Sequence, residues 1–119
     1  MTQKGGTMRY NKHKNIRTTV DGYTFASKAE ARRYSELKLM GKEGVISRLR
    51  VHPSYEIVFN YNHICNYIAD FSYIENSKAI VEDVKGYKKG GAYQMFKLKQ
   101  KLMLALYGIE VKEISYKRS

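Results

Sequence analysis

The sequence predicts an α/β fold: a central mixed sheet of four to five strands flanked by helices. Two stretches, 27–40 and 93–107, repeat apolar residues at helical steps, while the runs before, between and after them have strand length and strand composition. The second helical stretch also lies between two strand-like runs, which makes it a crossover and lets the last strand run parallel to its partner. At 119 residues with 43% hydrophobic content, the chain is read as one domain over residues 21–116, able to bury a modest core.

Residues 1–20 hold Lys4, Arg9, Lys12, Lys14 and Arg17 and no acid, with Gly, Asn and Thr between them, and read as a flexible basic arm. Ser27-Lys28-Ala29-Glu30 then opens the first helix, which runs to about Met40 on a stripe of Ala29, Tyr34, Leu37 and Met40 and is stopped by Gly41. Ser27 followed by Glu30 is also a capping box, so Glu30 has a structural reason to be there. From Val45 to Val51, the residues Val45, Ser47, Leu49 and Val51 alternate with Ile46, Arg48 and Arg50 as a strand; Pro53 marks a break before the strand Tyr55–Phe59. Asn60-Tyr61-Asn62 is turn chemistry, 66–74 is a strand, Glu75-Asn76-Ser77-Lys78 is a hairpin turn and 79–85 is the next strand.

Gly86 to Ala92 reads as a glycine-rich basic loop. The second helix, Tyr93–Tyr107, carries Met95, Leu98, Leu102 and Leu106 on an apolar stripe and Gln94, Lys97 and Lys101 on another that could face a phosphate backbone. Gly108 stops this helix, and Ile109–Ile114 alternates as the last strand.

Lys plus Arg number 22 against 11 Asp plus Glu, a net charge of +11, which suits a polyanionic partner. Between Val84 and Ile109 every charged residue is basic, which favours phosphate contact. No apolar run approaches the ~18 residues of a membrane span, the N-terminus lacks the apolar core of a signal peptide, and neither helix reads as a basic amphipathic anchor. The reading is a soluble cytoplasmic protein with no membrane partner. The single cysteine, Cys65, has no partner for a disulfide or a zinc site. His13, His52 and His63 are dispersed, without paired ligand spacing, and none is assigned to a site. Tyr55, Tyr67 and Tyr73 read as half-buried strand residues, whereas Tyr87 and Tyr93 flank the basic loop and could contact DNA.

The chemistry concentrates in Val81-Glu82-Asp83-Val84-Lys85-Gly86. Two residues apart on a strand, Asp83 and Lys85 share a face, and Glu82 points the other way, as a partner for a basic side chain. Thirteen residues before Asp83, Asp70 is a lone carboxylate in the strand-like run Tyr67–Tyr73. Paired neighbouring strands would aim Asp70, Asp83 and Lys85 at one point.

With these residues in this element order, the chain resembles the PD-(D/E)XK nuclease superfamily over roughly residues 23–115, in particular small phage-encoded endonucleases and Holliday junction resolvases. The resemblance implies a restriction-endonuclease-like core and a catalytic set of Glu30, Asp70, Asp83 and Lys85. Ala69 precedes Asp70 where that superfamily often has Pro. Phosphodiester hydrolysis needs a nucleophilic water and neutralisation of charge on the phosphorus oxygens, which a hard cation, Mg²⁺ or Mn²⁺, supplies. The implied ligands are Asp70, Asp83, the Val84 carbonyl and Glu30, with Lys85 on the attacking water. Lys88, Lys89, Tyr93, Gln94, Lys97 and Lys101 would contact DNA. The expectation is a metal-dependent endonuclease, structure-selective as in a junction resolvase of phage recombination, needing no small-molecule cofactor and working as a homodimer on branched DNA in the host cytoplasm. Another nuclease of the same fold, or a DNA-binding module without catalysis, are the alternatives.

Overall fold

The computed structural model describes residues 16–86 and 88–116. The elements run β1 (Thr18–Val20), β2 (Tyr23–Phe25), α1 (Lys28–Lys42), β3 (Ser47–Val51), β4 (Ser54–Phe59), β5 (Asn62–Ile68), β6 (Phe71–Glu75), β7 (Lys78–Val84), α2 (Gly90–Tyr107) and β8 (Val111–Ile114). The main sheet has the order β3-β6-β7-β8. Its first two pairings are antiparallel, and β8 lies parallel to β7 after the α2 crossover. The protein is thus α/β with a mixed four-stranded sheet, as the pattern predicts.

Each face of the sheet buries a separate core. On one, Phe25, Tyr34, Leu37, Phe71 and Tyr73 form a cluster that ties α1 and the β1–β2 hairpin to the sheet. On the other, Val81 and Val111 meet Phe96 and Met103 of α2 and Ile57 and Tyr67 of the β4–β5 hairpin. Phe25, Leu37 and Met103 are fully buried, and burial of a side chain of this size contributes about 1.5–3 kcal/mol. The alternation of β7 divides its residues between these cores: Ile80 and Val84 join the α1 side and Val81 the α2 side. Asp83 therefore shares the α2 side, and Glu82 turns toward α1.

The expected strand 66–74 is two strands separated by a bend: β6 stays in the main sheet and β5 leaves it. Val51 pairs with Phe71 and Ser54 with Ile68, so β3 and β4 face β6 and β5 in one continuous register. Between them the His52 N–H donates to the Asp70 carbonyl at 2.9 Å and the Ala69 N–H to the Pro53 carbonyl at 3.0 Å. His52 has φ +56°, in the left-handed region, and Pro53 has no N–H to give the ladder. These two residues turn the ladder out of the main sheet, and Asp70 sits opposite them at the corner rather than inside a strand.

Several boundaries differ from the pattern. Thr18–Val20 pairs with Tyr23–Phe25, so the end of the expected arm is structured; positions 1–15 lie outside the described residues, His13 among them. Gly41 does not stop α1, which continues to Lys42, and the left-handed residue that follows is Gly44, φ +80°. In β3 the register shifts between Ser47 and Arg50, with Arg48 at φ +56°, so Ile46 is buried and Val45 exposed, the reverse of the simple alternation. α2 begins at Gly90, three residues early, taking part of the expected loop. Its buried arc centres on Phe96 and Met103, while Met95 and Leu98 are each 51% exposed. Apolar residues surround this helix, so periodicity alone could not select the arc that meets the sheet. Gly108 caps it at φ +68°, as expected. Among the described residues no helix is long and apolar enough to cross a membrane.

Candidate metal and phosphate site

Glu30 serves the helix and the site with different oxygens. Its N–H donates to the Ser27 hydroxyl at 3.1 Å, and its Oε1 accepts the Ala26 N–H at 3.0 Å, which completes a variant of the capping box. Its Oε2 lies 2.9 Å from His52 Nε2. The carboxylate is 5% exposed, held at the mouth of the bend by the start of α1.

At the corner, the Asp70 side chain faces Glu30, and its Oδ2 accepts the Val84 N–H at 2.8 Å. Burial, followed by the negative charge of Glu30, pushes the Asp70 carboxyl up to about 7, against the pull of the Val84 N–H. Glu30, His52 and Asp70 each place a ligand atom within 4.8 Å of the other two, a group that could hold a metal ion.

Asp83 approaches from β7. Its Oδ1 is 3.7 Å from Lys85 Nζ, and its Oδ2 accepts the Tyr67 hydroxyl. Burial dominates here too and raises the Asp83 carboxyl to about 7; Lys85 opposes the rise, and the charges of Glu30 and Glu113 add to it. The Lys85 ammonium sits 4.1 Å from the centre of the Phe96 ring, a cation–π contact that fixes it beside Asp83. The Lys85 N–H is anchored to the Ile114 carbonyl at 2.8 Å, just beyond the strand.

Glu30 and Asp70 stand together with His52, and Asp83 and Lys85 form a pair beside them: the charge of Glu30 acts on Asp83 and that of Lys85 on Asp70, while Asp83 is not among the three residues whose ligand atoms cluster. The Val84 N–H donates to Asp70, which ties the residue whose carbonyl was expected as a ligand to that carboxylate. His52, assigned to no site from the sequence, stands with Glu30 and Asp70. Its signal was the His-Pro pair at the strand break: the bend aligns it with a helix residue 22 positions away, a proximity that ligand spacing does not report. Tyr67 was read as ordinary strand packing, yet its hydroxyl reaches Asp83.

Glu82 lies on the opposite face, as its alternation predicts. It is fully buried and takes two bonds from Arg33, Nε to Oε1 at 2.6 Å and Nη2 to Oε2 at 3.1 Å, with the Tyr73 hydroxyl at 2.7 Å. These bonds to Glu82 hold the Arg33 guanidinium well above its ordinary range. The ion pair locks α1 to β7 directly behind the site.

The basic residues divide. Lys97 Nζ donates to Glu113 Oε2 and the Tyr93 hydroxyl to Glu113 Oε1, both at 2.8 Å, so each has an acid partner on β8. That bond raises Lys97 and Tyr93 above their ordinary values. Lys88, Gln94 and Lys101 are exposed, and Lys89 occupies the N-cap of α2 without a side-chain cap bond. Tyr87 lies outside the described residues. Lys99, on the same helix, donates to the Asn66 carbonyl at 3.1 Å and closes one side of a pocket of about 260 Å³ beside Asp83 and Lys85.

Fold and site together define a small α/β protein in which a helix and a bent ladder bring Glu30, His52 and Asp70 together, with the Asp83–Lys85 pair at the end of the adjoining strand beside them. The chain belongs to a family described as proteins of unknown function, DUF1064, whose model matches residues 8–118. No curated protein matches it.

Proposed function

We propose that this protein is a divalent-metal-dependent endodeoxyribonuclease of the PD-(D/E)XK class that cuts branched DNA in the manner of a Holliday junction resolvase. The observation that carries the reading is the group Glu30, His52 and Asp70, whose ligand atoms lie within 4.8 Å of one another, with the Asp83–Lys85 pair, 3.7 Å apart, near enough that the charges of Glu30 and Lys85 act on both Asp70 and Asp83. Carboxylates held this close in a poorly solvated place repel one another, and a bound cation relieves that repulsion. The donor set fits a hard ion, Mg²⁺ or Mn²⁺, held by Glu30 and Asp70 together with Asp83 and the Val84 carbonyl, with His52 beside them. When bound, such an ion supplies charge neutralisation at the phosphate and lowers the pKa of water.

The chain's own residues do the rest. Lys85 carries its ammonium to the phosphate side of Asp83, where it orients the attacking water and offsets charge growing on the phosphorus oxygens. Tyr67 and Val84 fix the rotamers of Asp83 and Asp70 by hydrogen bonds, and His52 does the same for Glu30. The net charge of +11, with Lys88, Lys89 and Lys101 on or near α2, suits backbone contact with DNA. Lys97 and Tyr93 reach DNA only by sharing or leaving Glu113. A module that merely bound DNA would gain nothing from buried carboxylates turned toward phosphate, which argues against the non-catalytic alternative. Two symmetric cuts need two sites, hence a homodimer.

The test is cleavage of labelled duplex, single-stranded, flap, fork and four-way-junction DNA with Mg²⁺ or Mn²⁺, with Asp83→Asn and Lys85→Ala as controls. Paired symmetric junction cuts, lost in both variants, are expected. Cutting of flaps or plain duplex alone would remove the resolvase assignment, and binding without metal-dependent cutting would remove the enzyme.

A further inference from the structure

Beside the carboxylates lies a pocket of about 260 Å³ whose lining includes Asp83, Lys85 and Phe96. Its lining mixes polar and apolar groups, and two of the apolar ones are open to solvent: Ile68 of β5 is 60% exposed and Met95 of α2 is 51% exposed. Tyr67 backs it, 3% exposed. The Lys99 ammonium spans from α2 to the Asn66 carbonyl at 3.1 Å and holds the two walls at a fixed separation. Two cations, a carboxylate and an amide residue thus line it together with flat or flexible apolar groups. Pockets for drug-sized molecules span about 300–1,000 Å³, so this one is sized for a single ring system.

We propose that this pocket receives one unpaired nucleobase, that of a nucleotide flanking the phosphate at Asp83 and Lys85. The inference rests on the nuclease reading and deepens it, because it names what the enzyme selects: a strand with a base free to leave the stack. The pocket begins at the same two side chains that face the phosphate, so its occupant is the neighbouring nucleotide. A base presents its flat faces to the apolar side chains of Met95 and Ile68 and polar edges to Lys99 and Asn66, and contacts made to a base's face tolerate any base. Within an intact duplex the base is paired and stacked and must first be flipped out at a cost; in a single strand that cost is small, and at a branch point it falls where the flanking pairs open. Lys85 and Lys99, set on either side in a chain of net charge +11, favour a polyanion over an apolar protein segment as the occupant.

The experiment is fluorescence anisotropy with a single-stranded oligonucleotide, a duplex bearing one unpaired nucleotide, and a blunt duplex of equal length. Each is titrated with the full chain and with Met95→Ala/Ile68→Ala, in EDTA and in Ca²⁺. Both substituted residues are exposed, so the fold is retained. The full chain is expected to bind the unpaired ligands about tenfold more tightly than blunt duplex. The double variant should lose most of that margin while its duplex affinity holds. Equal affinity for all three ligands, or a margin the double variant keeps, overturns the proposal. So does a double variant that loses self-association and leaves the margin intact, which would make the patch a dimer face. The margin without any metal-dependent cutting supports the pocket and removes the nuclease, whereas cutting of plain duplex without a margin overturns the pocket and leaves the nuclease.

Discussion

His52 Nε2 lies 2.9 Å from Glu30 Oε2, although the two residues come from a strand break and a helix start. The contact leaves Glu30 with one oxygen on the helix cap and one on an imidazole, so its carboxylate has a single orientation. His52→Ala frees that carboxylate to rotate without emptying the core, since His52 is itself exposed. Loss of such an orienting partner weakens metal affinity about 10–100-fold. Calorimetric titration of Mn²⁺ into the variant should show this loss with the melting temperature little changed; unchanged affinity would separate His52 from the site.

Lys85→Ala should act differently. The ammonium contacts Asp83 but supplies no lone pair to a cation, so metal affinity changes little, while single-turnover DNA cleavage falls about 10²–10⁴-fold. A variant that loses metal and turnover together would make Lys85 structural.

The metal-free protein should grow less stable as pH rises. In the folded chain Asp70 and Asp83 are raised to about 7 from an ordinary value of 3.8. Below pH ~4 both carboxyls are protonated folded or unfolded; between ~4 and ~7 the folded state binds more protons, so unfolding gains ground across that window. The loss is on the order of 2 kcal/mol or more, and Mg²⁺ at pH 8 should return part of it. Urea unfolding at pH 5 and pH 8, in EDTA, reads the sign directly. Asp83→Asn should correspondingly raise stability at pH 8 as it abolishes cutting, because the amide still accepts from Tyr67 without the buried charge.

Arg33→Met should be severe. It leaves Glu82 fully buried without its cation, a change worth about 3–5 kcal/mol. Replacing Glu82 by Gln at the same time should recover much of the loss, which a double-mutant cycle by urea unfolding measures.

Much of this protein was written in local pattern. The crossover order, the antiparallel β6–β7 hairpin and the parallel β8 follow from element type and sequence, because an 18-residue helix between strands returns the chain alongside its start. The opposed faces of Glu82 and Asp83 follow from the two-residue period of a strand, and the Ser27–Glu30 cap from the chemistry of a helix N-terminus.

What tertiary structure decided was non-local. Only the bend at His52-Pro53 turns Asp70 to the corner where Glu30 waits, and that bend depends on one left-handed residue opposite a strand with the composition of a straight one. Which arc of α2 is buried was likewise open, since Met95, Phe96 and Leu98 are all apolar and only contact with the sheet chose Phe96. Lys85 gained its aromatic neighbour, and the pocket its exposed Met95 wall, from that same choice. Periodicity fixes what each segment prefers by itself; where a side chain points depends on which surfaces remain to be buried once the segments meet.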